Sequence, residues 1–282
     1  MRYKLLALDL DGTALGSDPD AFAPGLAEAA AAAAERGCIV AAGTGSRAAA
    51  TGRPAGCLPA ALDPVPAWMQ WLVLDDGAEV IDPRTGARLW RRAFGADSLA
   101  RVEQAARRGG FPVEYIDGDS WYHVAPAGRR MLESSPDVTP FHKGVLARRG
   151  RPLEGPAAGL ACRDILKINA LLVPGPARDA FFAEVEGAAL AMDCGGGAIE
   201  LTAPGAGKLA AVTFLAGRLG LTLQDVMAIG DSGNDAALLA AAGLGVAMGN
   251  APAHVQQAAR AVTGRNTEGG AAQAIRRWLL EG

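Results

Sequence analysis

Lysine is scarce in this sequence, and its basic residues form no run. Only four of the 282 residues are lysine, and the formal net charge is −3. A surface that binds nucleic acid or an acidic membrane needs clustered positive charge. The composition therefore argues against a nucleic-acid partner.

Long apolar runs and closely spaced cysteines are also missing. A membrane-spanning helix needs about 20 consecutive apolar residues, and the sequence has no such stretch. Its N-terminal apolar run is interrupted by Asp9 and Asp11, a pattern too acidic for a signal peptide. The four cysteines form no CxxC pair, so neither a zinc site nor a disulfide framework is expected. These features predict a cytoplasmic protein without a membrane partner.

Strand and helix patterns alternate towards both ends of the chain. Nearly continuous apolar runs are typical of central strands in a parallel sheet. The pattern predicts an α/β fold, a doubly wound parallel sheet with helices on both faces. The predicted strands include 3–10, 38–42, 72–74, 225–229 and 245–248, and the predicted helices include 24–36, 208–218 and 235–242.

The middle of the chain has a different pattern. Residues 113–124 are predicted to form a hairpin, because two apolar runs flank the turn sequence Asp117-Gly118. Further strands are predicted at 165–173, 188–193 and 199–202, and a helix at 177–186. Antiparallel strands mixed with helices indicate an α+β module inserted into the α/β domain. Residues 133–159, rich in proline, glycine and arginine, indicate no element.

Two acidic motifs follow two of the predicted central strands. Asp9 and Asp11 lie in DLDGT after the first strand, and Asp231 and Asp235 lie in GDSGND after a later one. Ligands of open α/β sheets bind at the carboxyl ends of strands. Carboxylates gathered there need a cation, and Mg²⁺ prefers oxygen ligands. Simple capping of a helix by Asn234 or Asp235 is the alternative, and it leaves Asp231 unexplained.

Two further segments carry groups that bind anions. Thr44-Gly45-Ser46-Arg47 lies between the second strand and a helix, where main-chain N–H groups favour an anion. Lys208 follows a glycine-rich turn and could neutralise a phosphate. Taken alone, each segment has a simpler interpretation, a helix cap in the first case and a solvated lysine in the second.

In this order, the four segments resemble the motifs of the haloacid dehalogenase superfamily, and in particular its Cof-type and sucrose-phosphatase-like hydrolases. The segment AIELTAPGAGK at 198–208 resembles the stretch that leads to the motif lysine in those proteins, and VAMGNAPAHVQQAARAVTGRNTEGG at 246–270 resembles their C-terminal signature. The resemblance implies a Rossmann-like core formed by residues 1–80 and 188–282. It also implies an inserted α/β cap at 81–187 that selects the substrate.

The resemblance further implies a role for each motif residue. Asp9 would be the nucleophile that takes the phosphoryl group as an aspartyl-phosphate. Asp11 would protonate the leaving alcohol and then activate water. Mg²⁺ would be held by Asp9, the main-chain carbonyl of Asp11 and Asp231, with Asp235 bound directly or in support. The residues expected to hold the phosphoryl group are Thr44, Gly45, Lys208 and Asn234.

Two positions depart from the usual pattern of the family. The second motif is usually T-G-R, whereas this chain has a serine before the arginine. The phosphate-binding hydroxyl is therefore Thr44 or Ser46, and Thr44 is favoured. The third strand usually ends in Asn-Gly but here ends in Asp76-Gly77, which places an additional acid near the expected phosphate site.

The implied function is a Mg²⁺-dependent phosphatase for a small phosphorylated metabolite, with a sugar phosphate as the favoured class. One alternative is a phosphotransferase or mutase that uses the same aspartyl-phosphate, as in phosphomannomutases. Another is a non-catalytic protein that binds a phosphorylated ligand. The fate of the phosphoryl group, transferred to water or to a second sugar, separates the two enzymes. The motifs do not fix the oligomeric state.

Overall fold

Fourteen strands and nine α-helices lie within the residues that the computed structural model describes, which are 2–18, 20–43 and 60–282. In chain order, the strands are β1 (Leu5–Asp9), β2 (Ile39–Gly43), β3 (Trp71–Leu74), β4 (Glu79–Asp82), β5 (Ala87–Arg91), β6 (Val113–Asp117), β7 (Tyr122–Val124), β8 (Gly150–Pro152), β9 (Ile165–Ala170), β10 (Leu190–Gly195), β11 (Ala198–Thr202), β12 (Val226–Gly230), β13 (Leu244–Ala247) and β14 (Ala261–Val262). The helices are α1 (Leu26–Glu35), α2 (Ala96–Gly109), α3 (Pro126–Ser134), α4 (Pro140–Arg149), α5 (Gly175–Val185), α6 (Lys208–Arg218), α7 (Gly233–Ala241), α8 (Ala253–Ala258) and α9 (Gly270–Ile275).

Contacts divide the described residues into two compact units. The first contains the described residues up to 43, residues 60–90 and residues 207–282, and the second contains residues 91–206. Each unit has its own sheet and its own apolar core. Among the described residues, none of the helices combines the length and the apolar character that crossing a membrane requires.

The first unit is built on an eight-stranded sheet with the order β14-β13-β12-β1-β2-β3-β4-β5. The strands from β14 to β3 are parallel, and β4 runs antiparallel to β3. The carboxyl ends of the six parallel strands therefore lie at one edge of the sheet. Because β1 lies between β12 and β2, the ends of these three strands are neighbours at that edge.

Successive side chains of β1 point to opposite faces of the sheet and so belong to two different core layers of this unit. Leu6 and Leu8 pack with α1 and α9 on one face of the sheet. Leu5 and Ala7 pack with α6, α7 and α8 on the other. Each of the three leucines is at most 1% exposed, and burial of such a side chain contributes roughly 1.5–3 kcal/mol. The prediction of a parallel sheet covered by helices on both faces is confirmed.

The second unit is an α+β module on a six-stranded sheet with the order β10-β11-β9-β6-β7-β8. Its strands pair antiparallel except for β7 and β8. Residues of α2 and α5 pack on one face of the sheet around Tyr115 and Ile168. Residues of α3 and α4 pack on the other face around Ile116 and Tyr122.

The boundaries of the two units differ from the expected positions 80/81 and 187/188. Strands β4 and β5 extend the larger sheet, so the first unit continues to Trp90. Strands β10 and β11 pair in the sheet of the second unit through β9, so that unit continues to Ala206. Strand pairing decides the boundaries at both ends of the insertion.

Candidate active site

Asp9 is placed by the parallel pairing of β1. It is the last residue of the strand and lies opposite Gly43 of β2. The chain then turns tightly through Leu10–Ala14, where Gly12 has a φ of +75°. A Cβ atom on Gly12 would lie 2.3 Å from Oδ2 of Asp231. Glycine is therefore required for this turn to pack against the carboxylate that follows β12.

Lys208, the first residue of α6, joins two of the carboxylates. Its Nζ donates to Oδ1 of Asp9 and to Oδ1 of Asp235, each at 2.6 Å. All three side chains are buried. Burial lowers the pKa of Lys208, but the charges of Asp235 and Asp9 raise it more, so its pKa lies above the ordinary value. The amine is therefore held in its charged form.

The acids at this edge carry more negative charge than one lysine neutralises. Burial raises the pKa of Asp9 well above its ordinary value, the charges of Asp235 and Asp231 add to this effect, and Lys208 opposes it. Burial and the charge of Asp235 also raise the pKa of Asp231. One carboxylate oxygen from each of the three acids lies within 4.8 Å of the others. Oδ2 of Asp9 is buried and accepts no hydrogen bond from any described residue.

Asp235 organises the first turn of α7. Its Oδ2 accepts hydrogen bonds from the main-chain N–H groups of Asp231 and Ser232, both at 3.0 Å. Ser232 is the N-cap of the helix, and it forms a capping box with Asp235. Since Oδ1 of Asp235 accepts from Lys208, both carboxylate oxygens already have donors within the protein.

Asp231 is held by two side chains for which the sequence motifs predict no role. The hydroxyl of Thr13 donates to its Oδ1 at 3.1 Å, and Nδ2 of Asn250 donates to its Oδ2 at 3.1 Å. Nδ2 of Asn250 also donates to the carbonyl of Gly12, and its Oδ1 accepts from the main-chain N–H of Asn266. Thr13 and Asn250 lie within motifs that the sequence identifies, but their contact with Asp231 depends on the tertiary structure.

Four of the expected site residues come together in the structure, namely Asp9, Lys208, Asp231 and Asp235. Asp11 lies in the turn after β1 with an exposed side chain. The amide of Asn234 is engaged by Asp76 and Ser232. The expected phosphate-binding residues Thr44 and Gly45, and the alternative Ser46, lie outside the described residues.

The arrangement can bind a cation and a phosphoryl group at neighbouring positions. Clustered carboxylates with raised pKa values favour a divalent cation, and a buried ammonium favours an anionic oxygen. Asp9 touches Lys208 and belongs to the acidic cluster, so it lies where both ligands would meet. A carboxylate in this position can act as a nucleophile towards phosphorus.

Parts of the chain are similar to known phosphatases. It is 50% identical over 82 residues to the 5-amino-6-(5-phospho-D-ribitylamino)uracil phosphatase YcsE of Bacillus subtilis, which is 29% of this chain and 33% of that protein. It is 40% identical over 84 residues to a phosphoglycolate phosphatase of Methanothermobacter thermautotrophicus, which is 30% of this chain and 38% of that protein. The matched stretches thus span 33% and 38% of these two relatives.

Solved structures match almost the whole fold. The phosphatase BT1666 from Bacteroides thetaiotaomicron has a TM-score of 0.79 at 22% identity, covering 98% of this chain and 94% of that one. The sugar phosphatase BT4131, of subclass IIB, has a TM-score of 0.77 at 18% identity, covering 98% of both chains. At these identities the similarity is one of fold.

The family assignment rests on the sequence as a whole. The profile of the haloacid dehalogenase-like hydrolases matches residues 6–275, a range that includes the four convergent residues and all of the second unit. The chain therefore belongs to the haloacid dehalogenase-like hydrolase family.

Proposed function

We propose that this protein is a cytoplasmic, Mg²⁺-dependent phosphatase that hydrolyses a small phosphorylated metabolite, with a sugar phosphate as the favoured class. The observation that carries the proposal is the contact of Lys208 with both Asp9 and Asp235. It leaves Oδ2 of Asp9 without a donor among the described residues. This buried oxygen therefore lacks a partner within the described part of the chain, and a bound cation or phosphorus would supply one.

The acidic cluster fits a divalent cation. In a six-coordinate Mg²⁺ site, two ligand oxygens on opposite sides of the ion lie roughly 4 Å apart. Carboxylate oxygens of Asp9, Asp231 and Asp235 lie within 4.8 Å of one another, so at most a small contraction of the cluster would suit the ion. Asp9, Asp231 and the main-chain carbonyl of Asp11 would hold the ion. Asp235, whose oxygens already have donors, would support them by fixing Lys208. When bound, Mg²⁺ supplies the positive charge that lets a phosphate dianion approach these carboxylates.

The first chemical step transfers the phosphoryl group to Asp9. A bond forms between a carboxylate oxygen of Asp9 and phosphorus, while the bond from phosphorus to the alcohol oxygen of the substrate breaks. Asp11 gives its proton to that oxygen. Lys208 stabilises the negative charge shared by the phosphoryl oxygens and Asp9.

The second step returns the enzyme to its starting state. Asp11, now ionised, accepts a proton from a water molecule whose oxygen attacks phosphorus. The bond between phosphorus and Asp9 breaks, and inorganic phosphate is released. The exposed side chain of Asp11 suits a group that exchanges protons with both an alcohol and water.

The second unit is proposed as the cap that selects the substrate. Two observations support a phosphorylated polyol or sugar. The fold matches that of a sugar phosphatase, and one relative is a phosphatase for a phosphoribitylamino compound. Neither similarity identifies a single metabolite, so a panel of sugar and polyol phosphates is the appropriate screen.

The variant Asp9→Asn tests the proposal. With an aryl phosphate and Mg²⁺, we expect turnover by the wild type, its loss on chelation, and a fall of at least about 10³-fold in Asp9→Asn. The control is Asp82→Asn, whose carboxylate contacts Arg84 instead of the site. Turnover retained in Asp9→Asn would contradict the role of Asp9. No turnover by the wild type on any phosphomonoester would favour the binding protein, and transfer to a second sugar would favour the mutase.

A further inference from the structure

The turn after β3 packs against the start of α6. Asp75 and Asp76 have φ values of +51° and +54°, a left-handed conformation that is uncommon for residues with a side chain. Gly77 follows with a φ of +89°. A Cβ atom on Gly77 would lie 2.2 Å from the carbonyl carbon of Gly207 and 2.5 Å from the main-chain nitrogen of Lys208. Main chain thus packs directly against main chain beside the site lysine.

The same turn contacts the first turn of α7 through a side chain. Nδ2 of Asn234 donates to Oδ1 of Asp76 at 2.8 Å, and Oδ1 of Asn234 accepts from the hydroxyl of Ser232 at 2.6 Å. The hydroxyl and the main-chain N–H of Ser232 also lie within hydrogen-bond distance of Oδ2 of Asp235. Because the other oxygen of Asp235 holds Lys208, hydrogen bonds connect Asp76 to Lys208 without a break.

A carboxylate at position 76 determines which end of the Asn234 amide faces it. An ionised carboxylate only accepts hydrogen bonds, whereas a side-chain amide both donates and accepts. Asp76 therefore requires the NH₂ end of Asn234 and leaves the oxygen end for Ser232. An asparagine at position 76 could face either end of the Asn234 amide, so the orientation would no longer be unique.

We propose that Asp76 is a positioning residue of the active site. It fixes the amide of Asn234, and through Ser232 and Asp235 it holds Lys208 against Asp9. This inference rests on the proposed phosphatase function for its effect on turnover, but the predicted effect on the position of Lys208 is independent of that function.

Turnover of an aryl phosphate provides the first measurement. Asp76→Ala removes the acceptor, and we expect kcat to fall about 10-fold with little change in KM. The decrease in kcat should be smaller in Asp76→Asn. Asn234→Asp places two carboxylates together and should lose more activity than Asp76→Ala. The double variant Asp76→Asn/Asn234→Asp restores a donor and an acceptor with the ends exchanged, so we expect it to recover most of the lost kcat.

The reactivity of Lys208 provides the second measurement. With only four lysines in the chain, amine acylation followed by peptide mass spectrometry reports on each one. We expect Lys208 to be protected in the wild type, more reactive in Asp76→Ala and Asn234→Asp, and protected again in the double variant. Exposed Lys4 is the reactive reference. Lys167, buried in the second unit, should stay protected if the variants remain folded.

Turnover and lysine labelling together distinguish a failure of the positioning role of Asp76 from a failure of the proposed phosphatase function. The matched control Asp82→Ala, on the neighbouring strand, should change neither kcat nor Lys208 labelling. Unchanged Lys208 protection in folded Asn234→Asp, or a double variant no better than Asn234→Asp, would overturn the positioning role. A wild type that hydrolyses no phosphomonoester while labelling follows the expected pattern would support the positioning role and contradict the proposed function.

Discussion

Nζ of Lys208 lies 2.6 Å from Oδ1 of Asp9, although 199 positions separate the two residues in the chain. Asp235 accepts a second hydrogen bond from the same ammonium at the same distance. A compact ammonium can make both contacts, whereas the planar fork of arginine has a different geometry. In a chain that otherwise prefers arginine, lysine stands where two buried carboxylates converge on one donor.

Removal of the Asp9 charge should stabilise the protein while it removes turnover. Burial and the neighbouring acids raise the pKa of Asp9, so its ionised form at pH 7 opposes folding. In the presence of a chelator, we expect Asp9→Asn to raise the free energy of unfolding by on the order of 1 kcal/mol. Urea unfolding measures the difference. Added Mg²⁺ should stabilise the wild type more than the variant, and a less stable Asp9→Asn protein would contradict this account.

Gly12→Ala should lower turnover in addition to the stability that alanine loses at a positive φ. Gly12 and Gly37 both have positive φ values, +75° and +88°, and alanine in this conformation costs about 1–2 kcal/mol. A Cβ atom at Gly12 would meet the carboxylate of Asp231, whereas one at Gly37 would have no described atom within 4 Å apart from those of Gly37 and its two chain neighbours. We expect both variants to lose stability but only Gly12→Ala to lose turnover, by about 10-fold or more.

Thermal unfolding and turnover of the two glycine variants, measured in parallel, test this expectation. Equal turnover in folded Gly12→Ala and Gly37→Ala would show that the turn after β1 can move away from Asp231 without consequence.

Asn250 should tune the affinity for Mg²⁺. Its amide donates to Oδ2 of Asp231 and to the carbonyl of Gly12, so it orients the end of β12 relative to the turn after β1. We expect Asn250→Ala to raise the Mg²⁺ concentration needed for half-maximal turnover about 10-fold. Asn250→Asp should raise this concentration further, because it replaces a hydrogen-bond donor to Asp231 with a second negative charge.

A matched amide control is Gln256→Ala, whose side chain donates to the carbonyl of Ala251 nearby. It should leave the Mg²⁺ dependence unchanged. An Asn250→Asp variant with higher Mg²⁺ affinity than Asn250→Ala would indicate that position 250 can itself bind the ion.

The second unit should lose stability as the pH rises past the ordinary pKa of histidine. Nε2 of His142 lies 2.8 Å from Oε1 of the buried Glu114. Burial lowers the pKa of His142, but the hydrogen bond to Glu114 and the charge of that carboxylate raise it more, so its pKa lies above 6.5. A raised folded-state pKa stabilises the protein fully below pH 6.5, and this contribution is lost as the pH rises through the raised value.

Urea unfolding between pH 5.5 and 8.5 measures this dependence. We expect stability to fall above pH 6.5, by on the order of 1 kcal/mol, and a flatter profile in His142→Gln. The exposed His254 provides the control variant His254→Gln, which should keep the slope of the wild type. A wild-type profile that rises with pH and flattens in His142→Gln would contradict the sign of the effect.

Strong apolar periodicity was sufficient to predict the elements that carry the site. The predicted helix 208–218 coincides with α6, and the first two strands and β12 lie within one or two residues of their predicted ends. The prediction missed α2 and the pair β4 and β5. Helix α2 buries only a narrow stripe of its surface, at Leu99, Val102, Ala105 and Ala106, and its many charged residues obscure that stripe in the sequence.

Residues 133–159 illustrate a second limit of sequence patterns. They form the end of α3, helix α4, strand β8 and the start of a short 3-10 helix at Ala157–Arg163. Helix α4 is amphipathic only weakly, and its Val145 and Leu146 belong to the apolar cluster that includes Tyr122 of the hairpin. Its stability therefore depends on tertiary contacts that local propensity does not contain.

The sequence by itself determined the order of the four motifs, the apolar strands that precede the acids, and the presence of one lysine among them. Only the tertiary structure decided which atoms meet. Lys208 contacts Asp9 and Asp235, and Asp76 holds Asn234, because strand order and the turns after the strands bring distant segments to one edge of the sheet. Hydrogen bonds between such segments depend on distances of a few ångströms, and patterns of local propensity carry no information at that scale.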